Sequence, residues 1–170
     1  MRLLVIGASG SGTSTLGEAL AEAYGCRWVD LDDLYWLPTQ PRFQQKRDHA
    51  ARRELMLREL AAHANLVASG SPMRWGAAVE DAFDGIVFLT LDAATRVERL
   101  RARELARLGA VDEEFLAWAA RYDDGDWSGR SRKLHEAWLA ERTARILRLD
   151  GAEPTAQQVA RARECYGASG

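Results

Sequence analysis

The residues best suited to chemistry form one continuous stretch: Gly7, Ala8, Ser9, Gly10, Ser11, Gly12, Thr13, Ser14 and Thr15. An apolar run, Leu3-Leu4-Val5-Ile6, precedes it, and a helical pattern opens near Thr13. The spacing follows the phosphate-binding pattern G-x-x-x-x-G-K-[ST], with Thr13 standing where the lysine belongs and Ser14 in the Ser/Thr place. Glycine lets the backbone take positive φ and approach a ligand closely. Successive N–H groups then turn inward as an anion nest, and the following helix adds its positive N-terminal end. None of this requires a lysine. The lysine adds a point charge near the outer phosphates, which a threonine hydroxyl does not replace. Phosphate binding is therefore the stronger expectation and phosphoryl transfer the weaker one. The bland alternative is a plain glycine turn between a strand and a helix.

Carboxylates follow at Asp30, Asp32 and Asp33. In a phosphate-binding loop of this pattern Ser14 is the natural Mg²⁺ ligand, and Asp30 is the carboxylate expected to hold the ion through water. Asp32 is expected to accept a proton from a substrate hydroxyl or to orient it, with Asp33 beside it. The alternative is that Asp32 or Asp33 caps a helix starting at Leu34. Trp36 and Trp75 flank the aspartate loop and a later turn, where an aromatic plane suits a base or a substrate pocket. Arg74 suits a substrate anion.

Arginines are grouped. Arg96, Arg99, Arg101 and Arg103 share one helix, with Arg99 and Arg103 on one face. Arg130 and Arg132 lie further on. Arginine contacts phosphate oxygens in a planar, multidentate way, and positive charge supplies much of phosphoryl-transfer catalysis. Arg103 and Arg130 are the candidates for that role. Arg96 and Arg101 read as a solvated face pairing with Glu98 and Glu104. His49, His63 and His135 lack metal spacing and read as structural or solvated.

These residues need elements to hold them. The helix after the loop buries Leu16, Ala19, Leu20 and Ala23 and stops at Gly25. Arg27-Trp28-Val29 is a second strand, and a turn-rich loop passes Pro38 and Pro41. A helix is expected from about Gln45 to His63, a third strand at Leu66-Val67-Ala68 and a short helix around Trp75 to Phe83. Ile86 to Leu91 is a fourth strand, with Asp92 capping the next helix and Gly109 ending it. Residues 110–131 mix aspartates with Phe115, Trp118, Tyr122 and Trp127 and read as a flap with a flexible hinge. Ser131 caps a helix through Trp138, Ile146 to Leu149 is a fifth strand, and the last helix starts near Thr155. Strands alternating with helices argue an α/β fold with a largely parallel sheet. Ligands bind such sheets at the carboxyl ends of the strands, where the loop, Asp30, Asp32, Asp33, Ser69 to Ser71 and Asp92 all fall.

The chain has 170 residues, 47% hydrophobic and 28% charged, which fits one soluble globular domain. Its net charge of −2 argues against nucleic acid and anionic membrane as partners. Only Lys46 and Lys133 stand beside 21 arginines, so any compensating cation is expected to be arginine. Cys26 and Cys165 show neither metal spacing nor a disulfide framework. With no signal peptide and no membrane-length apolar run, a reduced, cytoplasmic setting is expected.

Taken together, these motifs resemble the small P-loop kinases of the adenylate kinase and shikimate kinase type over most of the chain. Val29-Asp30-Leu31-Asp32 is similar to the substrate-side Asp-x-Asp of shikimate and gluconate kinases. Ser69-Gly70-Ser71 sits where that group has its substrate turn, implying a substrate contact at Ser71. Glu98 to Arg103 resembles the Arg-x-x-x-Arg entering an adenylate kinase lid, implying Arg99 stacked on adenine and Arg103 on phosphate. Arg130 and Arg132 would be the returning lid arginines, and Asp150-Gly151 would approach the adenine. Leu31-Asp32-Asp33-Leu34-Tyr35-Trp36 is similar to a segment of bacterial adenylate kinase-like proteins, some labelled DNA topology modulation proteins. The implied fold is the P-loop NTPase three-layer sandwich, with a parallel sheet of order 2-3-1-4-5. One domain, 1–170, would carry a helical lid inserted at about 104–132. Thr13 is the departure from the pattern.

The leading expectation is an ATP- and Mg²⁺-dependent kinase of a small acceptor: a nucleoside, a nucleoside monophosphate or a small hydroxyl compound. It is expected as a monomer or homodimer. A nucleotide sensor without turnover is the second reading, and a DNA-associated protein the third.

Overall fold

The computed structural model of the protein describes residues 1–40, 43–124 and 130–167. Pro41, the expected hinge at 125–129 and the tail at 168–170 lie outside them.

Five parallel strands form one sheet in the order β2-β3-β1-β4-β5. They are β1 (Arg2–Gly7), β2 (Arg27–Asp30), β3 (Leu66–Ser69), β4 (Gly85–Thr90) and β5 (Arg145–Asp150). Alternation along β1 explains the two cores. Leu3 and Val5 point to one face, where α1 (Thr13–Tyr24) and α8 (Thr155–Tyr166) bury Leu16, Leu20 and Ala162. Leu4 and Ile6 point to the other, against Met56 and Leu60 of α3 (His49–Ala62), Val79 of α4 (Ala77–Glu80) and Trp138 of α7 (Arg132–Ala140). Helix, sheet and helix make three layers.

Boundaries follow the caps. Asp48 accepts from the Ala50 and Ala51 amides, so α3 starts at His49 rather than near Gln45. Asp92 accepts from Thr95 N to open α5 (Ala93–Leu108), and Gly109 closes it at φ 69°. The short α2 (Leu31–Tyr35) opens earlier than Leu34, and its cap is Asp30, not Asp32 or Asp33. The chain then folds back on itself: Leu37 N donates to Gln45 O and Arg47 N to Tyr35 O, with Trp36 bridged to Lys46.

Two expectations fail. Trp75 is 1% exposed and belongs to the core, because the Pro72–Trp75 turn folds it under β3. Arg96 is not on a solvated face but fully buried. Its guanidinium donates to the Leu91 and Ala119 carbonyls and pairs with Asp123 at 2.7 Å. It also lies over the Tyr122 ring, 5.1 Å from its centroid. Arg96 thereby roots α6 (Glu113–Ala120) and the 3₁₀ turn Arg121–Asp123 onto α5. The Tyr122 hydroxyl meets His135 Nδ1 at 2.7 Å. Burial, then the nearby Arg130 charge, pushes the His135 pKa down to about 3, so the ring is neutral. Arg101 is exposed as expected, but its partner is Glu113 of α6 rather than Glu98 or Glu104.

Candidate functional site

The register brings the strand ends to one edge. Asp30 lies beside Ser69, Ser69 beside Val5, Gly7 beside Leu89, and Thr90 beside Asp150. Gly10 and Gly12 hold φ at 84° and 100°, values that side chains resist. The loop is also wedged between neighbours. A Cβ on Gly7 would stand 2.7 Å from the Leu89 carbonyl, and one on Gly10 the same distance from the Arg96 carbonyl. One on Gly151 would stand 2.6 Å from the Ser11 carbonyl. Ser11 closes the turn from inside, its N–H and hydroxyl both donating to the Ala8 carbonyl. Gly12 caps α1 without a side-chain bond, and the first turn carries no acidic residue. The leading amides of this 12-residue helix are thus left to a ligand, with the positive end of its dipole behind them.

Ser14, in that first turn, has its hydroxyl near enough to Asp30 to act on that carboxyl. Burial raises the Asp30 pKa above the usual carboxylate range; the Asp32 amide and the Ser14 hydroxyl oppose the rise, and the Asp32 and Asp33 charges add to it. A carboxylate pressed toward its neutral form gains from a cation beside it. A hydroxyl and a carboxylate so near each other suit a divalent ion that keeps water and phosphate oxygens in most of its shell. These two residues therefore fit Mg²⁺.

Two clefts lie nearby, one lined by Ser14 and the other by Asp32 and Asp33. The first, about 510 Å³, runs from Gly10 to Thr15, past Arg99, Leu100 and Arg103 of α5, to the turn Gly151–Thr155 and Gln158 of α8. Arg99 donates to the Gly151 carbonyl at 3.0 Å, which joins α5 to that turn. The second, about 350 Å³, is lined by Asp32, Asp33, Trp36, Phe43, Arg47 and residues 37–40. Arg47 frames it by donating to the Leu34 carbonyl, and Trp36 meets Phe43 edge-on at 6.0 Å. Arg103 is open to water yet crowded by the cleft walls. That crowding lowers its pKa, Arg107 adds to the effect, and Glu104, Asp32 and Asp30 act against it. Arginine stays charged regardless, so Arg103 sets a positive charge within reach of both carboxylates.

The loop, Arg99 and Arg103 thus come together, as do Asp32, Asp33 and Trp36. Other expected contacts line neither cleft among the described residues. Arg132 pairs with Asp123 at 3.6 Å, and half-buried Arg130 acts on the titration of Tyr122 and His135. Exposed Arg74 sits at φ 65° with its carbonyl held by His49, and Ser71 follows Gly70 on the β3 turn. No residue pattern announces Phe43 or Arg47 in the second cleft. Gln158 had a faint signal, a polar residue at a buried position of α8.

No protein-family profile matches the chain. The uncharacterized protein YqaC of Bacillus subtilis (strain 168) is 36% identical over 156 residues, covering 86% of each chain. Among solved structures, a shikimate kinase from Bacteroides thetaiotaomicron superposes with a TM-score of 0.63 at 17% identity, covering 97% of both chains. A gluconokinase from Sinorhizobium meliloti 1021 superposes with a TM-score of 0.54 at 21% identity, covering 96% of this chain and 94% of that one. At these identities the two structures share the fold.

Proposed function

The chain belongs to the family of the Bacillus subtilis protein YqaC, and we propose that it is an ATP-dependent kinase of a small hydroxyl-bearing molecule. The carrying observation is a pair of clefts near the strand ends, one lined by the loop from Gly10 to Thr15 and one opening on Asp32. The loop amides and the α1 N-terminus bind the outer phosphates of ATP. Ser14 and Asp30 would hold Mg²⁺, which when bound would neutralise charge on those phosphates. Asp32 orients the acceptor hydroxyl and takes its proton as the oxygen bonds to the γ-phosphorus and ADP leaves. Trp36 and Asp33 position the acceptor. Arg99 lies on the base, and Arg103 supplies the cationic charge that Thr13 does not. The segment from Glu104 to Arg132 is the lid, bringing Arg130 and Arg132 toward the phosphates on closure and excluding water. Ser71 and Arg74 extend the acceptor side. The similarity in fold to shikimate kinase and gluconokinase supports this reading.

The test is ATP turnover by the pure protein against a panel of nucleosides, nucleoside monophosphates and small polyols. Transfer abolished by Asp32→Asn supports the kinase. The threonine at position 13 favours a second reading, a nucleotide sensor. Binding without transfer in the wild type, with activity gained in Thr13→Lys, would establish that reading instead.

A further inference from the structure

We propose that the acceptor carries an aromatic ring beside its hydroxyl, that the ring seats in the corner between Trp36 and Phe43, and that the acceptor is a nucleoside. This rests on reading the second cleft as the acceptor site.

Packing alone does not account for Phe43. Its φ of 67° lies in the left-handed region, which a bulky side chain resists. It is also 41% exposed, and the other large exposed hydrophobics among the described residues, Leu105 and Leu108, line neither cleft. Phe43 thus bears two costs, a strained backbone and an apolar ring partly in water, and it bears both at the wall of a cleft. Strain of this kind clusters where ligands are clamped.

Trp36 is the fixed half of the corner. Its ring lies 6.0 Å from that of Phe43, with the planes 67° apart. Tyr35 packs edge-on against Trp36 at 4.9 Å. The Trp36 main chain is held by the bridge to Lys46 and by its N–H on the Asp32 carbonyl. Leu37 and Pro38 continue the apolar lining. Asp32 and Asp33 stand one helical turn back on the same face of α2. Asp32 also acts on Arg103, which lines the first cleft, so the carboxylate end of the second cleft is the one toward the phosphates.

A flat ring suits this corner. Stacked on one aromatic face it meets the other edge-on, and both arrangements are favourable. A polyol carries hydroxyls all round its rim, and two ring faces with Leu37 and Pro38 leave those without partners. With its base in the corner, a nucleoside extends its ribose toward Asp32 and Asp33, whose carboxylates accept from the sugar hydroxyls.

The experiment is transfer from ATP in Mg²⁺ by the full-length protein. It compares kcat/KM for uridine and adenosine with that for methyl β-D-ribofuranoside, which has the sugar without the base, and for glycerol and gluconate. Wild type is expected to prefer a nucleoside to the methyl riboside by about tenfold, the scale of an aromatic contact with the area it buries. Phe43→Gly removes the ring and relieves the backbone, so the fold is kept, while the preference should shrink to within about twofold. Phe43→Tyr keeps a ring and should keep the preference. An acceptor without a base used as well as either nucleoside, or a ratio unchanged in Phe43→Gly, would overturn the assignment and leave the kinase standing. Transfer to none of the acceptors, with ATP bound, would overturn the kinase reading of the cleft and this assignment with it.

Discussion

The two clefts near the strand ends are built from different material. The first is made of main chain: Gly10 and Gly12 at positive φ, Gly7 and Gly10 pressed against the carbonyls of Leu89 and Arg96, and the helix amides beyond them. The second is made of side chains on α2 and the loop after it, with Asp32, Trp36 and Phe43 as its walls. A backbone site needs particular spacing but few particular side chains, so it tolerates threonine where a lysine is usual. A side-chain site depends on each residue that lines it.

The largest break between the two should come from Asp32→Asn. It is expected to lower phosphoryl transfer by about 10²- to 10⁴-fold, the usual weight of a positioned base, while ATP affinity stays nearly constant. Steady-state rates and direct titration separate the two. A parallel loss of affinity would show that the clefts act as one.

Gly10→Val attacks the other side. Its Cβ would meet the Arg96 carbonyl in a backbone conformation that suits glycine, costing about 1–3 kcal/mol of local strain. ATP affinity should fall about tenfold to a hundredfold on that scale. Retained affinity would mean that the loop is looser than its packing implies.

The root of the α5–α7 segment adds a third kind of region, inward-facing polar side chains without a cleft. His135 has a folded pKa near 3 against 6.5 for the free group. As pH falls below 6.5 the unfolded chain takes a proton that the folded chain refuses, so stability is full above that point and declines toward pH 3. The slope from this one group should approach about 1.4 kcal/mol per pH unit. Denaturant melts of wild type and His135→Gln between those limits measure it, and a slope unchanged by the substitution would contradict the burial account.

The sequence made the first cleft legible because its determinants are local. Gly7, Gly10, Gly12 and Ser14 fall within eight residues, and the β-run before them and the helix pattern after them fix their context. The strand order followed from the resemblance, while alternation of apolar strands with helices gave the parallel sheet. Arg96 was misread because its partners, Leu91, Ala119 and Asp123, converge only in three dimensions. Its neighbours Arg99, Arg101 and Arg103 do line a cleft or the surface, so helical position alone did not set it apart. Trp75 failed for a similar reason: proximity to a strand end did not reveal which way the Pro72–Trp75 turn would fold. Phe43 and Arg47 enter the second cleft through the fold-back that bridges Trp36 to Lys46, a contact no periodicity announces.

The smallest expected change bears most directly on the claim that phosphate is held by backbone rather than by side chain at position 13. Titration of Mg²⁺ and a non-hydrolysable ATP analogue into wild type and Thr13→Ala decides it. Saturable one-to-one binding, with the two proteins within about twofold, is the predicted result, since the amides of the loop and α1 remain in place. No binding by the wild type, or a tenfold or greater loss in Thr13→Ala, would contradict it.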